Sequence, residues 1–348
     1  MKALTYHGPG MVRCEQVPDP KLRDTEDAIV EVELAAICGS DLHVYRGRET
    51  GLDHGTVMGH EFVGRIVAVG SQVRDLSPGD RVVSPFTTSC GRCFQCRSGL
   101  TARCPDGELF GWVQDGAGLR GAQAERVRVP LANGTLFRLP PDLPAEHGLL
   151  LADVLATGCH GVSLAESTAA KVGVIVGCGP IGLMAAAVAC DLGGSRWFAI
   201  DAVPERLAMA ERFGATPLQL GRDDVHAAVR VASEGRGADA AVEAVGSAEA
   251  GKLAFELLRP GGTMSIVGVN HDDRFPFSPA EAYDKNLVVR VGRCPVRALM
   301  PRLLPLVERR GAELAAIFTH RVSLDDGPEA YAMFDQRRDG CIKVALSL

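Results

Sequence analysis

The architecture of this chain follows from eleven residues, Val172-Gly173-Val174-Ile175-Val176-Gly177-Cys178-Gly179-Pro180-Ile181-Gly182. A β-branched run enters a glycine-spaced turn, and the Ala-rich segment Ile181–Leu192 behind it has helical composition. In that order of strand, turn and helix each glycine has a separate task. Gly177 allows the tight turn, Gly179 lets backbone N–H groups approach a pyrophosphate, and Gly182 lets helix and strand pack closely. The positive end of the helix dipole, at Pro180 and Ile181, then faces the phosphates. Asp201 stands nineteen residues after Gly182, at the end of the next apolar run, where a carboxylate accepts hydrogen bonds from adenosine ribose hydroxyls. Its charge repels a 2′-phosphate and Ala202 and Val203 offer no cation, so NAD is expected over NADP, with Arg206 the nearby residue that weakens the preference.

The same alternation continues outward through Trp197–Ile200, Glu205–Phe213, Ala238–Glu243, Ala248–Leu258 and Thr263–Val267, which predicts a parallel sheet with crossover helices. Before about residue 150, Gly, Pro and Asp punctuate short β-rich runs, Ala28–Leu34, Gly64–Val69, Arg81–Ser84 and Ala124–Val129, which predict an irregular, mainly-β domain. Past residue 290, Met300–Arg310 and Ala330–Arg337 read as helices and Ile342–Leu346 as a closing strand. A length of 348 residues fits two domains, each able to bury a core. With 37 Lys and Arg against 43 Asp and Glu, and no basic block, neither nucleic acid nor an anionic membrane is an expected partner.

Val172–Cys190 carries no charge and is long enough to span a bilayer, but its glycines and Pro180 argue against a membrane helix. Met1–Gly10 has no apolar run of the signal-peptide kind, so a cytoplasmic protein is expected. In that reducing setting an odd total of eleven cysteines points to metal ligands or buried packing residues before disulfides. Cys90, Cys93, Cys96 and Cys104 form C-x2-C-x2-C-x7-C, a spacing suited to a closed tetrahedral zinc site that pins a coreless lobe over residues 88–106. A second group is scattered: Cys38-Gly39-Ser40-Asp41-Leu42-His43, Gly59-His60-Glu61-Phe62-Val63-Gly64 and Ala152-Asp153-Val154. Taken singly, Cys38 also suits a buried small apolar residue, His60 a structural histidine and Asp153 a helix cap. Gly64 occupies the place of the second histidine of H-E-x-x-H, so this is no metalloprotease motif.

Gly59-His60-Glu61, followed by Gly64, Gly70 and Val73, resembles the signature of the zinc-dependent medium-chain alcohol dehydrogenases. The likeness extends from Cys38 through the four-cysteine lobe and the Gly177 loop to the final segment. It implies α/β plus mainly-β architecture: a GroES-like catalytic domain, residues 1–155 and 293–348, with an inserted Rossmann-type doubly wound parallel sheet over 156–292. It further implies that Cys38, His60 and Asp153 hold a catalytic zinc, with Glu61 as an exchanging ligand. Many members have cysteine where this chain has Asp153, while bacterial secondary-alcohol and polyol dehydrogenases often have aspartate. Cys159 and His160 are the alternative source of the third ligand.

The resemblance implies two zincs per chain, NAD, and a small alcohol or carbonyl as substrate. Ser40, the cofactor ribose and His43 would form a proton relay, and Asp41 would hold the His60 ring. Thr157, Val245 and Val267–Val269 would contact the cofactor, and Lys343 the pyrophosphate. Trp112 and Phe86 would line the substrate pocket, and a homodimer or homotetramer would be the working form. A zinc-free quinone or enoyl reductase and a non-catalytic cofactor-binding protein are the competing readings.

Overall fold

The computed structural model describes residues 1–165 and 171–348. They fall into two compact units, Met1–Ala156 together with Pro295–Leu348, and Thr157–Cys294.

Thr157–Cys294 holds a six-stranded, wholly parallel sheet of Val172–Val176, Arg196–Asp201, Thr216–Gln219, Ala238–Glu243, Leu258–Ile266 and Val288–Val291, which in chain order lie 3-2-1-4-5-6. Val172–Val176 is buried throughout because it is central and covered on both faces. The order reverses beside this strand, and the crevice at such a reversal is where open α/β sheets take ligands. The uncharged run of residues 172–190 resolves into this strand, a turn and the helix Pro180–Asp191. No described helix is long and apolar enough to cross a membrane. Thr216–Gln219 went unread because a four-residue strand containing Pro217 carries little β signal.

In the other unit the central strand is Ala28–Ile37, nearly all of it buried. It pairs antiparallel with Glu61–Val69 on one edge, and on the other with Arg126–Val129 and then Val344–Ser347. Beyond these lie Arg81–Ser84, Phe137–Arg138 and His320–Ser323. Ala36 is paired with Glu61, and continuing that antiparallel register brings Cys38 and His60 to one end of the sheet. At Gly64 the two strands leave no room for a side chain: a Cβ there would sit 2.1 Å from the Glu31 carbonyl oxygen.

The helix expected at Met300–Arg310 runs from Val296 to Leu314, straight through Pro301 and Pro305. Its buried residues, Val296, Met300, Leu303, Val307, Gly311 and Leu314, recur every three or four positions. That apolar face outweighs two prolines, each of which takes a backbone N–H out of the helix ladder.

Candidate metal centres and cofactor loop

Cys38 follows the central strand, His60 precedes and Glu61 opens the next strand, and Asp153 directly precedes the helix Val154–Leu164. One ligand atom from each of Cys38, His60, Glu61 and Asp153 lies within 4.8 Å of the others, and all four residues are buried. Asp153 Oδ2 is 3.5 Å from Cys38 Sγ and 3.7 Å from His60 Nε2. Cys159 and His160 are not members of this cluster. The Glu61 carboxylate is completely buried; its Oε1 accepts from Lys343 Nζ at 2.8 Å while Oε2 has no hydrogen-bond partner. A thiol, an imidazole and two carboxylates, one with an orphaned buried oxygen, form a donor set that fits a zinc ion.

Asp41 opens the short helix Asp41–Tyr45; its Oδ1 lies 3.4 Å from His60 Nδ1 and its Oδ2 accepts the Cys38 amide at 2.9 Å. The imidazole is thereby held with Nε2 toward Asp153. Ser40 caps this helix and accepts the His43 amide on its carbonyl, so both relay candidates share one element with Asp41. The Phe86 ring stands edge-on to His60 with centroids 6.2 Å apart, whereas Trp112 packs, partly buried, against the core of its unit.

Lys343 corrects one expectation. Its ammonium is fully buried, bonded to Glu61 Oε1 and to the Ile37 carbonyl at 3.3 Å. A group enclosed in that way has no face left for a pyrophosphate. Burial opposes its charge, yet the carboxylate of Glu61 and the neighbouring Cys38 hold its pKa above the ordinary lysine value.

Cys90, Cys93, Cys96 and Cys104 form the second cluster, again with ligand atoms within 4.8 Å of one another. Among the described residues the apolar cluster around these sulfurs contains, besides the cysteines themselves, only Leu131, so a metal would be the main link among the four. Backbone amides already point at the sulfurs: Cys96 N–H donates to Cys93 Sγ and Cys93 N–H to Cys90 Sγ, both at 3.4 Å. The Cys96 amide helps pull the Cys93 thiol down to about 7, while burial pushes Cys96 up to about 12. A thiol poised for ionisation beside three others suits a thiolate-bound zinc.

In the other unit, Gly177 has φ +94° and a Cβ on it would strike the Val245 side chain. A Cβ on Gly182 would lie 1.8 Å from the Gly177 carbonyl oxygen, whereas Gly179 faces open space. Pro180 and Ile181 form the first turn of the helix behind it. Asp201 is tied into the loop, accepting the Cys178 amide on Oδ2 at 2.7 Å and the Val203 amide on Oδ1 at 2.9 Å, with Arg206 Nη1 3.9 Å from Oδ2. Val245 and Val269 are exposed at the ends of neighbouring strands, while Val267 and Thr157 are buried. Sequence reasoning missed Glu243, a buried carboxyl whose Oε1 accepts the Val245 and Gly246 amides and whose pKa burial pushes up. An acid ending an apolar strand has no motif to announce it.

Two family models match: "Alcohol dehydrogenase GroES-like domain" over residues 24–141 and "Zinc-binding dehydrogenase" over residues 180–309. The chain is 40% identical over 343 residues to zinc-type alcohol dehydrogenase B of Aspergillus flavus, covering 96% of this chain and 79% of that one. It is 32% identical over 334 residues to an NADP-dependent isopropanol dehydrogenase of Thermoanaerobacter brockii, covering 92% and 93%. Among solved structures, the alcohol dehydrogenase TADH from Thermus sp. ATN1 superposes with a TM-score of 0.93 at 38% identity, covering 100% of this chain and 99% of that one.

Proposed function

Because this chain belongs to the zinc-dependent medium-chain alcohol dehydrogenase family, we propose that it transfers a hydride reversibly between NAD and a secondary alcohol, diol or polyol. The observation that carries the reading is the buried Cys38, His60, Glu61 and Asp153 cluster, in which Glu61 Oε2 has no partner. When bound, zinc supplies a Lewis acid for the alcohol oxygen, and NAD supplies the hydride acceptor. Cys38 and Asp153 bring two negative charges to match a dication, and His60 adds a neutral third ligand. Glu61 is held in reserve as an exchanging ligand by Lys343. Ser40 and His43 carry the alcohol proton away, an imidazole being able to exchange it with water near neutral pH. The complete ligand set argues against the zinc-free reductase.

Purified protein is expected to contain two zincs per chain, and a strong chelator that removes them to abolish alcohol oxidation. Elemental analysis paired with an assay over secondary alcohols, diols, polyols and aldehydes checks both; a zinc-free preparation with full activity overturns the reading.

The NAD preference rests on the Asp201 carboxylate, partly offset by Arg206. Asp201→Ser removes hydrogen bonds to a charged acceptor worth about 1.5–3 kcal/mol, so kcat/KM for NAD should fall roughly 10- to 100-fold and the NADP-to-NAD ratio rise. An unchanged ratio in side-by-side kinetics sinks the assignment. A cytoplasmic homo-oligomer completes the proposal. It is supported by the open edge of Val288–Val291, the outermost strand of the parallel sheet, with Val288 and Val291 exposed.

A further inference from the structure

Behind His60 lies a buried polar string that no zinc motif contains. Tyr331, from the helix Gly327–Gln336, donates its hydroxyl to Gln123 Oε1 at 2.7 Å. Gln123 Nε2 donates to the Ala36 carbonyl at 3.1 Å and to Asp41 Oδ2 at 3.2 Å. Asp41 Oδ2 also accepts the Cys38 amide, and Oδ1 faces His60 Nδ1. Gln123 and Tyr331 have no exposed surface, so water cannot replace these partners.

The chemistry of each group leaves one arrangement. Turning the Gln123 amide over would set its oxygen against a carboxylate and a carbonyl, two acceptors. The amide nitrogen therefore points at Asp41, and Tyr331 is a donor because Oε1 can only accept. Donors converge on Asp41 from Gln123 and from the Cys38 amide, which fixes the position of the carboxylate. Oδ1 is then left for the Nδ1–H of His60, and the lone pair of Nε2 faces Asp153 and the ligand cluster. The glycine before His60 belongs to the same design. Gly59 has φ +89°, and a Cβ there would lie 2.3 Å from Gln123 Cγ. Gly59 leaves the space that Gln123 occupies.

We propose that Gln123 and Tyr331 are positioning residues for the zinc histidine: by holding Asp41 they set how firmly the Cys38, His60 and Asp153 cluster retains its metal. The inference rests on the zinc reading above. A purely structural role, tying the helix Gly327–Gln336 to the sheet, would change stability without singling out one zinc.

The test is the release of zinc from the holoprotein to a chromogenic chelator, followed as two phases. Cys93→Ser, which lacks a lobe ligand, assigns them. Tyr331→Phe removes one hydroxyl and keeps the ring against Tyr45, 5.6 Å away between centroids. It is expected to speed release of the catalytic zinc several-fold, below the ~10- to 100-fold effect typical of groups that touch a ligand directly. The lobe phase should not move. In an Asp41→Asn background the effect of Tyr331→Phe should largely vanish, because the connection is already cut.

Parent-rate release from Tyr331→Phe, equal acceleration of both phases, or an undiminished effect in Asp41→Asn overturns the proposal. Should Tyr331→Phe not fold, Gln123→Glu, which turns an oxygen on Asp41, decides by the same criteria. A parent protein with no releasable zinc outside the lobe would instead overturn the metal reading beneath it.

Discussion

His60→Ala is expected to lower kcat/KM for alcohol oxidation by about 10³-fold or more and to remove one of two zincs per chain. Lewis-acid stabilisation of developing charge is worth several kcal/mol, and about 4 kcal/mol corresponds to three decades in rate. As a zinc ligand His60 would be the only neutral one of its cluster, and it is the one whose orientation Asp41 maintains. Without it the remaining donors, Cys38, Glu61 and Asp153, are all of the acidic kind and repel one another unless protonated. The fold should survive, since Asp41 still accepts the Cys38 amide and the Gln123 amide. Metal content, turnover and circular dichroism on one preparation decide the matter. A variant that keeps both zincs and its activity would remove His60 from the ligand set.

Lys343→Met should destabilise the unit that contains it by about 3–5 kcal/mol, because it strands the Glu61 carboxylate in a fully buried site. The charge balance makes the point differently. Cys38, Glu61 and Asp153 can bring three negative charges to a dication, and the Lys343 ammonium supplies the remaining positive one. Burial alone pushes the Glu61 carboxyl up, and Lys343 opposes that shift. Chemical denaturation of the zinc-loaded protein measures the loss. The double variant Lys343→Met with Glu61→Met should recover much of it, since a buried ion pair exchanged for apolar groups of similar volume is often neutral or better. If Lys343→Met unfolds at the parent midpoint, the ammonium is not the counter-ion of Glu61.

What was legible in the chain follows the range of the forces concerned. The loop from Gly177 to Gly182 could be read directly because its tightest demand is local, a Cβ on Gly182 striking the Gly177 carbonyl five residues back. Cys38 and His60 could not be paired from spacing, since their meeting depends on the antiparallel register that sets Ala36 against Glu61. Resemblance to a known family supplied what local pattern lacked. The glycines of the zinc signature have structural work of their own: Gly64 admits the Glu31 carbonyl, Gly70 the Thr25 carbonyl and Gly59 the Gln123 side chain. Lys343 was misplaced for the same reason of range, its partner lying 282 positions earlier in the chain. Gln123 and Tyr331, 208 positions apart, give no sequence signal beyond the glycine that makes room for one of them.

The strand Val344–Ser347 lies between Ala28–Ile37 and His320–Ser323, in the interior of its sheet. On the ribosome, Cys38, His60, Glu61 and Asp153 emerge long before the strand that completes their surroundings. Thr157–Cys294 can collapse as soon as it is exposed, whereas the sheet of the other unit lacks an interior strand until Val344–Ser347 has been translated. Until then the Glu61 carboxylate, beside Cys38, His60 and Asp153, still lacks its ammonium.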